Sequence, residues 1–172
     1  NLESETDPLM NVTSYDYDDL GRLVKTTLPD ADGDADTTGD IPVIEYTYYA
    51  TGQLKSEEDP LGNITSYDYD DLGRLETITA PDPDGAEPLS SPRTTYTYDA
   101  AGNLLSEKDA FDNGTSYLYD DLGRLETVIE TGSGGASLSE TDYTYDAAGN
   151  LLSLTDPVGN ITSYDYDSLG RL

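Results

Sequence analysis

The stretch SYDYDDLGRL at residues 66–75 decides the fold, because the chain writes nearly the same ten letters four times. The other copies are SYDYDDLGRL at 14–23, SYLYDDLGRL at 116–125 and SYDYDSLGRL at 163–172. A second motif alternates with the first: YTYYATGQLK at 46–55 and YTYDAAGNLL at 96–105 and 143–152. The step from a second motif to the next first motif is always 21 residues, whereas the reverse step is 31, 29 or 26 residues. Such periods are typical of repeat arrays whose units bury their surfaces only against each other.

Each unit has the pattern of a β-hairpin. Tyr67 and Tyr69 alternate with polar residues, as in a half-buried strand. The tight turn that follows needs a positive φ at Gly73, and Asp70 can accept backbone N–H bonds across it. The stretch DPLGN at 59–63 predicts a second turn of related chemistry. The seven units are marked by their turn glycines: Gly21, Gly52, Gly73, Gly102, Gly123, Gly149 and Gly170.

An isolated hairpin of this size is marginally stable in water, so we expect the hairpins to pair edge to edge. The predicted fold is all-β, a repeat array of stacked antiparallel hairpins forming a β-solenoid or a rolled sheet. We expect the tyrosine rings of successive hairpins to stack on one another in a shared interior, with Asp outside. This predicted ladder consists of Tyr15, Tyr17, Tyr46, Tyr48, Tyr67, Tyr69, Tyr96, Tyr98, Tyr117, Tyr119, Tyr143, Tyr145, Tyr164 and Tyr166.

The composition limits the function. Of 172 residues, 36 are acidic and 8 basic, which gives a net charge of −28. Such a surface repels nucleic acid and anionic lipid, and no run is apolar enough to predict insertion in a membrane. Low hydrophobicity with high charge also fits a disordered linker, but the regular spacing of Tyr, Leu and Gly argues against it. The chain has neither His nor Cys, so the usual catalytic nucleophiles and bases are missing and we expect no enzyme.

Two insertions between motifs carry acidic residues that are candidate calcium ligands. The sequence DADGDAD at 30–36 places alternating carboxylates around a glycine, and hard oxygens on a bendable loop suit Ca²⁺. A solvated acidic loop fits the same pattern, and the third insertion, at 131–141, has no acid before Glu140. The candidate ligands are Asp30, Asp32, Asp34 and Asp36 in the first insertion and Asp82, Asp84 and Glu87 in the second.

Two further sets of residues recur at fixed positions. Four N-x-T triplets are potential glycosylation sites in a secreted protein, although Asn also suits a turn for conformational reasons. These are Asn11, Asn63, Asn113 and Asn160. An arginine directly follows the turn glycine of each first motif, and we expect it to pair with a neighbouring Asp and to cover a Tyr ring. These are Arg22, Arg74, Arg124 and Arg171.

The pattern Tyr-x-Tyr-Asp-x-x-Gly-Arg-Leu, followed by Asp-Pro-x-Gly-Asn-x-Thr, resembles the YD repeat of RHS proteins and teneurins over essentially the whole chain. The resemblance implies a large spiralling β-sheet, which in RHS toxins closes into a hollow shell around a cargo polypeptide. It also implies a secreted or surface-attached protein. The self-cleavage motif of cargo-releasing members has no counterpart here, and Tyr49 replaces the turn Asp found at Asp99 and Asp146.

From these observations we expect residues 1–172 to form one YD-repeat array of roughly 50-residue double repeats, cut within a repeat at both ends. The favoured function is structural: a segment of an extracellular or cell-surface filament or stalk, because near-identical copies suit uniform stacking. The expected partners are further copies of the same repeat or other chains of the same protein. A fragment of an RHS-type shell around a toxin polypeptide is the alternative, and a calcium-dependent adhesive module is a third.

Overall fold

A computed structural model describes residues 1–30, 41–83 and 91–172. Within these ranges the regular structure is β-strand, apart from one 3₁₀ turn at Ser133–Gly135. Every strand pairs antiparallel with its neighbour in sequence wherever a register is defined, so the predicted all-β fold of paired hairpins is confirmed. No helix of the described residues is long and apolar enough to cross a bilayer. The chain divides into two compact units, Asn1–Pro92 and Arg93–Leu172.

The first unit is a seven-stranded meander, in which each strand follows its predecessor in space as in sequence. The six-residue strands carry the tyrosine pairs, and five-residue strands return the chain. The strands are β1 Ser4–Thr6, β2 Val12–Tyr17, β3 Leu23–Thr27, β4 Val43–Tyr48, β5 Leu54–Glu58, β6 Ile64–Tyr69 and β7 Leu75–Thr79.

The second unit repeats this arrangement with seven more strands. Its longest strands flank the shortest of the three insertions, which the structure describes in full. The strands are β8 Arg93–Tyr98, β9 Leu104–Lys108, β10 Gly114–Tyr119, β11 Leu125–Thr131, β12 Ser137–Tyr145, β13 Leu151–Thr155 and β14 Ile161–Ser163.

One five-residue turn closes most of these hairpins. At residues 70–74, the N–H of Gly73 donates to the carbonyl of Asp70, and the N–H of Asp70 donates to the carbonyl of Arg74, both at 2.9 Å. Gly73 has a φ of 80°, a conformation that is unfavourable for a residue with a Cβ but not for glycine. This is the three-residue hairpin loop in which a glycine follows a type I turn. It recurs at 7–11, 18–22, 49–53, 59–63, 99–103, 109–113, 120–124, 132–136, 146–150, 156–160 and 167–171.

Each tyrosine strand also meets a β-bulge on its return strand. Between β6 and β7, Asp68 lies opposite Thr77 but Tyr69 lies opposite Leu75, so Glu76 is the extra residue. The same shift by one residue occurs in the other tyrosine hairpins. A bulge bends its strand and increases the local twist, and here the bend recurs at the same place in every copy.

The two faces of the sheet differ in chemistry. Opposite residues share a face, so the tyrosine face joins Tyr67 to Ile78, whereas the other face joins Ser66 to Thr79 and Asp68 to Thr77. Among the described residues no apolar side chain is buried; the few buried side chains are those of threonine. The tyrosines are half-buried, and no second layer formed by the described residues covers them.

The expectation that rings of successive hairpins stack directly on one another is wrong. A return strand lies between consecutive tyrosine strands, so the rings face other residues across the sheet: Tyr67 faces Ile78, and Tyr69 faces Leu75. Tyr49 and Tyr69 form an edge-to-face pair with centroids 6.1 Å apart, but Tyr49 belongs to a turn. On this face a leucine lies opposite the second tyrosine of each hairpin, whereas the residues opposite the first tyrosines include Glu57 and Glu107 as well as Ile78.

Candidate functional site

The first residue of the turn organises the whole turn. In the copy at 70–74, Oδ1 of Asp70 accepts hydrogen bonds from the backbone N–H groups of Leu72 and Arg74, both at 2.9 Å. Its other oxygen, Oδ2, accepts from Nε of Arg74 at 2.7 Å. These donors favour the ionised carboxyl, and the backbone N–H of Arg74 makes the largest contribution to holding the pKa of Asp70 below its ordinary value of 3.8.

Arg and Asn are interchangeable at the last position of this turn. Nδ2 of Asn63 donates to Oδ2 of Asp59 at 2.8 Å. In the turn at 70–74 the equivalent donor to Oδ2 of Asp70 is Nε of Arg74. That amide hydrogen bond also lowers the pKa of Asp59. A side-chain donor on the residue after glycine therefore completes the turn in both motifs.

The predicted role of the arginines is confirmed where the structure describes it. Arg124 pairs with Asp120 at 2.6 Å, and its guanidinium carbon lies 4.8 Å from the ring centroid of Tyr145 in the next hairpin. Arg22 repeats this contact at 4.6 Å over Tyr48. One arginine thus closes its own turn and covers the ring of a neighbour.

The second tyrosine of a strand connects its hairpin to the preceding one. Backbone pairing between β11 and β12 extends only to Thr127 and Asp142, short of the turn. Beyond this point the hydroxyl of Tyr145 donates to the carbonyl of Leu125 at 2.9 Å. The same bond recurs from Tyr17 to Leu2, from Tyr48 to Leu23 and from Tyr119 to Leu104.

Neighbouring turns are also joined directly. Nη1 of Arg124 donates to the carbonyl of Asp146 in the next turn at 2.8 Å. Turns that lack arginine use an amide instead: Nδ2 of Asn1 donates to the carbonyl of Gly21 at 3.1 Å, and Nε2 of Gln53 donates to that of Gly73 at 2.9 Å. We call the phenol, guanidinium and amide bonds between hairpins the staples. They act where the backbone ladder is missing.

The turn at 49–53 departs from the others in chemistry but not in backbone. Its backbone bonds are kept at 2.9 Å although Tyr49 replaces the usual Asp. The Tyr49 hydroxyl donates to Oδ1 of Asp68 at 2.9 Å, and this bond raises the pKa of Tyr49. Tyr49, Gln53, Asp68 and Tyr69 line an open groove of about 430 Å³.

The structure does not test the candidate calcium ligands as a group. Most of them, Asp32, Asp34, Asp36, Asp84 and Glu87, lie outside the described residues; Asp30 and Asp82 lie just before these gaps. Among the described residues, no group of three or more acidic side chains is arranged to hold a metal ion. Calcium binding stays a prediction of the sequence.

The candidate glycosylation sites have a structural role. Each amide nitrogen donates to the first Asp of its own turn at 2.7–2.9 Å: Asn11 to Asp7, Asn63 to Asp59, Asn113 to Asp109 and Asn160 to Asp156. The requirements of the turn are therefore enough to explain why Asn recurs there, and glycosylation also stays a prediction.

Sequence reasoning missed the staples. A signal for them is present, because in both tyrosine motifs a leucine follows the Gly-Arg, Gly-Asn or Gly-Gln pair, and the carbonyls of Leu23, Leu104 and Leu125 accept the phenol bonds. Tyr48 and its acceptor Leu23 are 25 residues apart, whereas Tyr145 and its acceptor Leu125 are 20 residues apart. Because the insertions between the hairpins differ in length, no constant spacing in the sequence reveals the pairing. The spacing becomes constant only after the hairpins are aligned.

A single-layer antiparallel sheet of short hairpins, stapled turn to turn, defines the class of protein: a YD-type repeat array. The model for the RHS repeat matches residues 1–33, 48–87, 98–137, 119–161 and 145–172. The chain belongs to the RHS repeat family. No curated protein matches its sequence.

Solved structures with a similar fold include Tc toxin assemblies. The chain is similar to the crystal structure of TcdB2-TccC3-Cdc42, with 26% identity, a TM-score of 0.71, and coverage of 93% of this chain and 9% of that one. The crystal structure of TcdB2-TccC3-TEV gives 27% identity, a TM-score of 0.71, and coverage of 92% and 9%. The Photorhabdus luminescens Tc holotoxin pore with the TccC3-D651A mutation gives 24% identity and a TM-score of 0.71, with coverage of 95% and 9%. The chain thus spans less than a tenth of the length of these neighbours.

Proposed function

We propose that the chain is part of the wall of an RHS-type shell, a β-sheet container that encloses a polypeptide. The observation that carries this proposal is the similarity to TcdB2-TccC3 over 93% of the chain at 26% identity. The wall needs a sheet and no catalytic group, so the segment itself performs no chemistry. Its partners are further copies of the repeat and the enclosed polypeptide, and its place of action is outside the producing cell.

The geometry of the hairpins supports a curved wall. Every tyrosine hairpin carries a bulge at the second residue of its return strand, such as Glu76 in β7. Bulges at fixed positions are the means by which a sheet acquires regular curvature. The staples add connections between hairpins at one edge, where the backbone ladder ends, so that edge is held without a second layer.

The tyrosine face supports the same proposal. Tyr67, Tyr69 and Ile78 are half-buried, and no layer of the described residues covers them. Large aromatic rings contribute fully to stability only when they are removed from water. A sheet closed around a polypeptide would supply that shelter on one face, whereas an open filament would leave both faces in solvent.

Electron microscopy of the full-length protein that contains this segment tests the proposal. We expect compact hollow particles, with the enclosed polypeptide resistant to protease until the particle is denatured. A matched preparation with the polypeptide-coding region deleted should give particles of the same outline and an empty interior. Long filaments of uniform width, with no protease-protected fragment, would refute the shell and favour the filament expected from the sequence.

A further inference from the structure

The groove at the turn 49–53 lies between two neighbouring turns on one edge of the sheet. It is lined by residues of this turn, by the last two residues of β6 and by the first two residues of the turn at 70–74, and its volume is about 430 Å³. We call it the Tyr49 groove. All of its lining residues belong to the first unit and to the described part of the chain. The long insertions leave and rejoin the sheet at its opposite edge.

The Tyr49 groove has a glutamine at the turn position that an arginine occupies in the alternate copies. Arg124 lies over the ring of Tyr145, the second tyrosine of the next hairpin, at 4.8 Å, and Arg22 makes the same contact in an earlier copy. The turn before Tyr69 ends in Gln53, whose amide forms a staple but carries no charge. Within the described residues no cation lies over the ring of Tyr69, which lines the groove.

Tyr49 adds a second aromatic ring to the groove. Its ring meets that of Tyr69 edge to face, with centroids 6.1 Å apart and planes at 89°. Its hydroxyl donates to Oδ1 of Asp68 at 2.9 Å, which holds the ring in place. Nζ of Lys55 lies 5.9 Å from the ring centroid of Tyr49 although Lys55 does not line the groove, so this ring already attracts a cation. The two rings together form an aromatic corner.

The groove is also negatively charged. Asp70 in its wall pairs with Arg74 at 2.7 Å. Asp68 and Asp71 line the groove too, and they make no ion pair within the part of the chain that the structure describes. A cation that enters the groove would therefore meet aromatic rings and two carboxylates that lack a charged partner. With a net charge of −28, the chain attracts basic partners and repels acidic ones.

We propose that the Tyr49 groove binds an arginine side chain that a separate, basic partner protein inserts into it. The contacts within this chain are the precedent, because Arg124 pairs with Asp120 and covers the ring of Tyr145. A guanidinium is planar, so it stacks on a ring and bonds a carboxylate through two N–H groups, whereas the ammonium of lysine is a point charge. A neutral sugar could stack on the rings but would leave the carboxylates unbalanced. The site lies within one unit and does not depend on whether the array forms a shell or a filament.

Titration of the isotope-labelled 172-residue chain with a short arginine peptide, followed by NMR, tests the proposal. The probe is a capped Gly-Ser-Arg-Ser-Gly peptide, and we expect amide shifts confined to residues 49–53 and 68–71. The same peptide with citrulline, which has nearly the shape of arginine but no charge, should not bind at the same concentrations. The lysine peptide should bind more weakly than the arginine peptide. Shifts of equal size from the citrulline peptide, or from a neutral disaccharide, would overturn the proposal.

Tyr49→Asp separates the contribution of the ring from that of charge. It restores the residue that the equivalent turns have at Asp99 and Asp146, so we expect the turn to fold. The variant removes one ring and adds a carboxylate. If the ring binds the guanidinium, the dissociation constant of the arginine peptide should rise roughly 5-fold, whereas a contact that depends on charge alone should become tighter. Tyr49→Leu, which keeps an apolar side chain without a ring, takes its place if circular dichroism shows that Tyr49→Asp is unfolded.

Asp68→Asn and Asp121→Asn form a matched pair for the carboxylate. Both remove one negative charge, but Asp121 lies in the turn at 120–124 of the other unit, outside the groove. Asp68→Asn should raise the dissociation constant roughly 3-fold, and Asp121→Asn should leave it nearly unchanged. Equal effects of the two substitutions, or shifts spread over the acidic surface, would overturn the proposal. Shifts at the groove on concentrating the chain without peptide would also overturn it, because they would assign the groove to a second copy.

Discussion

Replacing Tyr145 with Phe tests whether the staples stabilise the array. The Tyr145 hydroxyl donates to the carbonyl of Leu125 at 2.9 Å, and backbone pairing between the two strands has already ended at Thr127 and Asp142. The substitution removes this one hydrogen bond and leaves the ring in place under Arg124. It therefore separates the phenol bond from ring packing.

The expected loss follows from the position of the bond. A net hydrogen bond contributes about 0.5–1.5 kcal/mol, and Tyr145 is half-buried, so the freed carbonyl of Leu125 can still reach water. We expect the free energy of unfolding to fall by about 1 kcal/mol. For a chain of this size, this lowers Tm by roughly 2–4 °C.

Tyr143→Phe is the control, in the same strand and on the same face. Within the described residues, the Tyr143 hydroxyl has no hydrogen-bond partner, so its removal should change the free energy by less than about 0.5 kcal/mol. Urea unfolding followed by circular dichroism measures both variants. Equal losses for Tyr143→Phe and Tyr145→Phe would show that the phenol bond contributes nothing to coupling.

Three further predictions concern the turns and the tyrosine face. The backbone N–H and the guanidinium of Arg124 hold the pKa of Asp120 below 3.8, so the stabilisation from the ionised Asp120 is present above that pH and is lost as the pH falls through the lower folded-state pKa. The free energy of unfolding should therefore fall less steeply in acid for Asp120→Asn than for the unaltered chain. Identical slopes for the two proteins would contradict this. Met10 has a φ of 71°, so Met10→Gly should raise the free energy of unfolding by about 0.5–1 kcal/mol. Asp112→Gly, at a φ of 61°, should raise it less, because Asp tolerates this conformation better than Met. Calorimetry that shows no gain for Met10→Gly would show that the backbone of Met10 is not strained. Tyr69→Ala should cost about 2–3 kcal/mol, below the range for a fully enclosed ring, and a loss near zero in urea unfolding would place the ring outside the packed surface.

The strands and turns could be predicted from the sequence because their causes are local. Alternation of Tyr67 and Tyr69 with polar residues indicates a strand, and the structure gives one at Ile64–Tyr69. The glycine requirement at Gly73 and the acceptor role of Asp70 both follow from turn chemistry within five residues. The pairing of arginine with Asp was predictable for the same reason.

The arrangement of the tyrosines could not be predicted in this way. Stacking of ring on ring was expected from the similarity of the copies, but the meander inserts a return strand between them, and Leu75 instead of a ring faces Tyr69. The staples depend on how neighbouring hairpins align, which the variable insertions conceal. Likewise, the N-x-T triplets predict glycosylation sites, but the sequence did not reveal that Asn63 donates to Asp59 and so completes the turn.

The absence of buried apolar side chains among the described residues has a consequence for how such a chain is stabilised. A single hairpin cannot bury enough surface to fold alone. In this chain, hydrogen bonds also connect neighbouring turns, such as the one from Arg124 to the carbonyl of Asp146. Stability in such an array is a sum of weak hairpins and the interfaces between neighbours, so it increases with the number of interfaces. A hairpin with neighbours on both sides has two interfaces. Long arrays are therefore favoured over short ones.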